Sequence, residues 1–224
     1  MITDNPTIIG FSMYTTNSQA TLLLIKKIKE KAPNIPIVLG GPAVATESWL
    51  LNQQFSKYVS YFFKGEAEDS FIKFLNDETH KKPLPNEGIF IGDTNSRINL
   101  DEKPYADFSD YDLDSYLHRD GVSIETSRGC VAQCSFCAET YFWRFRSMTP
   151  ERVIEEMKYQ IEHYGVKRFW FVDSLVNGNL KNFERLVDLI IENNLEIGWN
   201  SYSRCDGRMT KEFIQKSQIR DAPH

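Results

Sequence analysis

Cys130-Val-Ala-Gln-Cys134-Ser-Phe-Cys137 places three of the chain's four cysteines within eight residues, at the spacing CxxxCxxC. A run this short can fold three thiolates around one centre, and thiolates select zinc, copper(I) or iron–sulfur. Structural zinc and fully protein-ligated [4Fe-4S] clusters use four side chains, so a triad leaves one coordination position for something that is not protein. His118 and His163 stand across element boundaries on either side, at no recognised zinc spacing. Gly129 allows a tight turn before the first thiol, Arg128 brings positive charge beside groups that must be deprotonated, and Phe136 offers a flat apolar surface at the open side. Buried structural thiols or a zinc knuckle are the simpler alternative for a lone CxxC, and the third cysteine weighs against them.

Working outward from the triad, residues 122–126 read as a strand that delivers the cysteine loop. Thr149 and Pro150 supply an N-cap and a first-turn proline for a helix reaching about residue 163. Residues 167–173 and 196–203 read as strands and 180–193 and 210–218 as helices, a run of βα units like those of a barrel. Upstream, strands over 7–13, 37–39 and 58–63 alternate with helices over 20–31, 46–55 and 66–75. That alternation predicts a parallel, doubly wound sheet, in which the uninterrupted Ile37-Val38-Leu39 is covered on both faces. Between the two runs, residues 77–120 carry prolines, glycines and an acidic–aromatic segment, read as a linker whose aromatics pin it to its neighbours.

Composition bounds the function. At 224 residues, with 41% hydrophobic and 25% charged, the chain has the makeup of a globular α/β protein with one large domain or two small ones. A net charge of -5 without a basic tail argues against bulk nucleic-acid binding. No apolar run approaches bilayer length, and the polar Thr3-Asp4-Asn5-Pro6 is no signal-peptide core, so a cytoplasmic protein with no membrane partner is expected. Clustered cysteines suit a reducing compartment.

The segment Thr126-Ser-Arg-Gly-Cys130 through Cys137 resembles the signature of the radical S-adenosylmethionine (SAM) enzymes. The resemblance implies that Cys130, Cys134 and Cys137 hold three irons of a [4Fe-4S] cluster, with SAM chelating the fourth iron and Phe136 beside it. It also implies a reducing donor such as flavodoxin or ferredoxin, and a small-molecule or peptide substrate. Ile8-Ile-Gly-Phe-Ser-Met-Tyr14, Leu39-Gly-Gly-Pro42 and Lys64-Gly-Glu-Ala-Glu68 are similar to the second half of the cobalamin-binding domain that precedes many radical SAM barrels. By that likeness Ser12, Gly40 and Gly41 line the slot for the nucleotide tail of cobalamin. The family's cobalt-ligating histidine motif lies on an earlier strand and loop than this chain contains. A short hairpin, here over residues 88–98, belongs to the family's linker.

The expected organisation is a cobalamin-binding-like half-domain over residues 1–76, a linker over 77–120 and the first part of a radical SAM barrel over 121–224, a chain truncated at both ends. Its first half, lacking a strand, is expected to be poorly ordered. Asp173 ends the second barrel strand and Arg204 the third, at the face where barrel sites are built. By resemblance Asp173 meets the amino or ribose end of SAM and Arg204 its carboxylate, which suits a guanidinium fork. Ordinary strand-end ion pairs are the alternative for both. Cys205 reads as a packing residue and Asp206 as a group that orients Arg204. The function these readings imply is reductive cleavage of SAM, serving cobalamin-linked methyl transfer or another radical modification. The alternative is a non-catalytic iron–sulfur or zinc protein.

Overall fold

The computed structural model describes residues 5–46, 53–93, 95 and 97–217. They fall into two compact units, Met1–Ile98 and Asn99–His224. Most of the helix expected over 46–55, and residues 218–224, lie outside the described residues.

The first unit is a parallel sheet of β1 (Ile9–Ser12), β2 (Ile37–Gly40), β3 (Tyr61–Phe63) and β4 (Ile89–Ile91), hydrogen-bonded in that order. Helix α1 (Ser18–Lys31) buries Thr21, Ile25 and Ile28, positions spaced along one helical face. Ile25 and Ile28 pack with Ile9, Ile37, Leu39 and Phe62 on one side of the sheet. Lys29 Nζ donates to the carbonyls of Pro33 and Ile35, holding the turn that leads into β2. The short α2 (Pro42–Thr46) follows β2, and α3 (Glu68–Asn76) sets Phe74 against Val38, Tyr61 and Phe63 on the other side. Alternate residues of β2 and β3 thus point into two separate cores, which is why these strands are apolar throughout.

Within the span read as a hairpin, Ile89–Ile91 pairs parallel with β3. Gly88 is required there, because a Cβ would stand 2.3 Å from the Phe62 ring, and Phe90 stacks on that ring at 4.7 Å. This fourth strand covers the edge of β3, and both faces of the sheet hold buried side chains. With α1 and α3 on opposite faces and the strand order advancing one way, the β1–α1–β2 and β3–α3–β4 crossovers have opposite hands. One of them breaks the usual right-handed rule.

The second unit carries a parallel sheet in the order β5 (Gly121–Ile124), β8 (Arg168–Phe171) and β9 (Gly198–Asn200). An antiparallel pair, β6 (Ser127–Arg128) with β7 (Arg146–Ser147), closes the excursion that holds the cysteines. Within the excursion lies the short α4 (Glu139–Phe142). Helix α5 (Pro150–Tyr164) starts as the sequence predicts, with Thr149 Oγ1 accepting from Arg152 N, and stops at Gly165 in the left-handed region. Asn179 caps α6 (Leu180–Glu192), whose Leu180, Phe183, Leu186, Val187 and Ile190 form the buried stripe. Helix α7 (Lys211–Ser217) closes the third βα unit.

The acidic–aromatic segment from Asn99 onward is strapped to α5. Arg152 donates to the carbonyls of Asp101 and Lys103 and lies over the Tyr105 ring at 4.0 Å, while Tyr164 and Gln160 bond Asp107 and Ala106.

Candidate functional site

The site is built where β5 and β8 end. Chain leaving β5 turns at Glu125 and Thr126, pairs briefly as β6, and reaches Gly129 at φ +85°, a region side chains rarely adopt. A Cβ on Gly129 would stand 2.9 Å from backbone atoms of Trp143 and Arg144. Gly129 therefore forms the neck of a loop running from Cys130 to Phe142, and no larger residue lets the two ends pass so closely.

Three thiols sit on that loop. Cys130 is half-buried, with its sulfur accepting from Ala132 N, whereas Cys134 and Cys137 are exposed and joined by a turn from Cys137 N to Cys134 O. All three are free. Among the described residues, no three Cys, His, Asp or Glu side chains converge on a point that a single metal ion would occupy. A cluster distributes its ligands over separate irons, so its thiols need not converge in that way. Three free thiols on one accessible loop are a donor set that fits an iron–sulfur cluster. Phe136 is 90% exposed, leaving both ring faces available beside the thiols.

Arg128, expected to bring charge beside the thiols, is also paired with a carboxylate. Its Nε and Nη2 donate to Glu125 at 2.8 and 3.0 Å, and Glu125 also accepts from Lys103 Nζ at 2.6 Å. Burial pushes the Glu125 carboxyl up, but Arg128 and Lys103 pull harder and hold it below the ordinary glutamate range. Lys103 lies on the strap, so the strap reaches the cysteine motif through this one carboxylate. Sequence reading missed Glu125, although it directly precedes the signature, because nothing local marks Lys103 as its partner.

Asp173 is buried, with 1% of its surface exposed. Its Oδ1 accepts from Thr126 N at 2.7 Å, and its Oδ2 accepts from Thr126 Oγ1 and, at 2.9 Å, from Ser127 Oγ. Burial raises its pKa against the pull of these donors. The carboxylate expected at the cofactor's amino or ribose end is thus turned into the protein. One residue on, Ser174 Oγ donates to Glu139 at the far end of the cysteine loop.

Arg204 lies beyond β9 with an exposed side chain, while its backbone is gripped by the buried Asn177. Asp206 is hydrogen-bonded by Arg208, whose Nε and Nη2 donate to it at 2.9 and 2.6 Å and, with a smaller contribution from the Arg204 charge, hold its carboxyl far below the usual range. Cys205 is exposed and so is not the packing residue expected. In the first unit, Gly41 adopts φ +97°, and a Cβ there would stand 2.7 Å from the Met13 backbone. The ends of β1 and β2 come that close, leaving Ser12 exposed at the sheet's carboxyl edge and Gly40 without a side chain beside it. This edge fits a bound group with few steric demands on the protein.

Residues 124–218 match the model of the Radical SAM superfamily, and residues 1–75 match that of the B12 binding domain. The chain thus joins a match to the B12 binding domain to a match to the Radical SAM superfamily domain. An uncharacterized methyltransferase of Pyrococcus horikoshii is 28% identical over 220 residues, covering 90% of this chain and 47% of that protein. An anaerobic magnesium-protoporphyrin IX monomethyl ester cyclase of Synechocystis is 26% identical over 214 residues, covering 89% and 42%. The structure of the radical SAM methyltransferase TsrM from Kitasatospora setae, with cobalamin and a [4Fe-4S] cluster bound, superposes with a TM-score of 0.63 at 16% identity, over 94% of this chain and 47% of that one. The chain spans about half the length of the relatives it matches. No helix among the described residues is long and apolar enough to cross a membrane.

Proposed function

We propose that this chain supports radical SAM chemistry, with Cys130, Cys134 and Cys137 holding three irons of a [4Fe-4S] cluster. The observation that carries the reading is the loop itself: three free thiols at CxxxCxxC, on an excursion tied off by Gly129 and anchored at the carboxyl end of a parallel strand. When bound, the cluster and SAM supply one-electron cleavage of the sulfonium's bond to C5' and so a 5'-deoxyadenosyl radical, and cobalamin supplies a methyl carrier.

The chain's own residues position these groups. Three thiolates leave one iron for the amino and carboxylate groups of SAM. Phe136 offers a ring beside that iron. Arg204, fixed through its backbone and with an exposed side chain, would pair with the carboxylate. Ser12, Gly40 and Gly41 form the sheet edge for the nucleotide tail of cobalamin. The relatives' names support methyl transfer or a related radical modification of a small-molecule or peptide substrate. A flavodoxin- or ferredoxin-type donor in the cytoplasm supplies the electron.

The test is anaerobic incubation of the reconstituted chain with dithionite and SAM. Production of 5'-deoxyadenosine that is lost in Cys134→Ser supports the reading. A cluster-loaded chain that yields none would reduce it to binding alone.

A further inference from the structure

Asp173 stands forty-three residues beyond Cys130 in sequence, yet it closes on the turn from which Cys130 hangs. Its carboxylate takes the backbone N–H and hydroxyl of Thr126 and the hydroxyl of Ser127, and Ser127 Oγ also lies 3.2 Å from the carbonyl of Leu175. The backbone of the same turn is held from the opposite side: Thr126 O accepts from Met148 N at 2.8 Å, and Ser127 and Arg128 pair with Ser147 and Arg146. Thr126 and Ser127 are themselves buried. A carboxylate 1% exposed and held by three donors is shielded from solvent, and a polar group in that setting is costly unless its geometry is kept.

We infer that Asp173 is a positioning residue: it latches the end of β8 to the turn at Thr126 and Ser127, and so fixes where Cys130 is presented. Cofactor contact is not its task. That Cys130 binds iron rests on the proposed function, whereas the latch does not.

Two readouts separate the possibilities. In the cluster-free full chain, alkylation of each thiol is followed by peptide mass spectrometry, with exposed Cys205 as the internal control. Asp173→Ala frees the turn, and Cys130 should react roughly threefold to tenfold faster relative to Cys205, because local opening governs access to a half-buried thiol. Asp173→Asn keeps the shape, an acceptor for Thr126 N, and an amide that the two hydroxyls can meet as acceptors, so it should restore Cys130 protection to within about twofold of the parent. In the reconstituted chain, Asp173→Ala should lose iron faster to a chelator, while Asp173→Asn retains both iron and SAM affinity. If Asp173→Ala does not fold, Thr126→Val removes one hydroxyl donor, leaves the aspartate in place, and should accelerate Cys130 in the same direction. An unchanged Cys130 rate in the folded alanine or valine variant overturns the latch. So does an asparagine variant that keeps its iron but loses SAM affinity, since removing a charge hurts a contact to the cofactor's ammonium and spares a latch. Failure of the parent chain to take up a cluster would sink the proposed function and leave the alkylation result standing.

Discussion

The side-chain amide of Asn177 brackets the backbone of Arg204: its Oδ1 accepts from Arg204 N at 3.0 Å and its Nδ2 donates to Arg204 O at 2.8 Å. Val176 N reinforces the join by donating to Tyr202 O. The turn after β8 thereby fixes the chain that leaves β9, and does so through main-chain atoms, leaving the Arg204 side chain exposed. Asn177→Ala should cost about 1–3 kcal/mol of stability, because the backbone groups of Arg204 lose their partners. It should also weaken SAM binding in the reconstituted chain, although Asn177 itself touches no cofactor. Asn177→Asp, which keeps the acceptor and loses the donor, should fall between. Calorimetric SAM titrations alongside thermal melts check both.

Gly129→Ala should be more damaging to the cluster than its size suggests. The positive φ costs on the order of 1–3 kcal/mol, and the atoms in the way are backbone, which cannot swing aside. Iron content after reconstitution should fall sharply while the far-ultraviolet dichroism of the chain stays close to that of the parent. Full iron loading in this variant would show that the neck is not needed.

Glu125 makes an acid-sensitive tie between the strap and the cysteine motif. Its pKa is lowered in the folded chain, so its stabilising contribution is present above the unfolded glutamate value of about 4.3 and fades as pH drops through the lower folded value. Glu125→Gln should therefore destabilise the chain by roughly 1–2 kcal/mol near neutral pH. The gap to the parent should close as pH falls below the ordinary glutamate range. Urea unfolding of both chains across that range reads the difference, and a gap that widens towards acid would contradict the assigned pairing.

Sequence reading reached the parts of this fold whose signals are local. The CxxxCxxC run, the Thr149 cap with Pro150, the apolar strands covered on both faces and the helical stripes all depend on residues close together in the chain. What stayed hidden depends on distant partners. Residues 88–98 carry turn-like glycines, and only the Phe62 ring waiting for Gly88 and Phe90 turns Ile89–Ile91 into a parallel strand. Asp173 was legible as a strand-end carboxylate, but the direction of its oxygens follows from Thr126 and Ser127 on another strand. Arg128 was legible as a charge beside thiols, but its pairing with Glu125, shared with the strap's Lys103, was not.

Cys205 separates ligand from bystander. It is as free and exposed as Cys134 and Cys137, but it lies beyond β9, outside the loop that Gly129 closes. Cys205→Ser should keep the full iron and sulfide content of the parent, whereas Cys134→Ser should lose most of it. Equal losses would show that proximity within the loop is not what gathers the cluster.

The central claim is that the cysteine triad leaves one iron for SAM, and electron paramagnetic resonance of the reduced, anaerobically reconstituted chain tests it most directly. The account predicts a [4Fe-4S] signal whose shape changes when SAM is added, with the change weakened in Arg204→Ala and no signal from Cys130→Ser or Cys137→Ser. A cluster signal identical with and without SAM, or zinc taken up by all three thiols with no cluster forming, would contradict it.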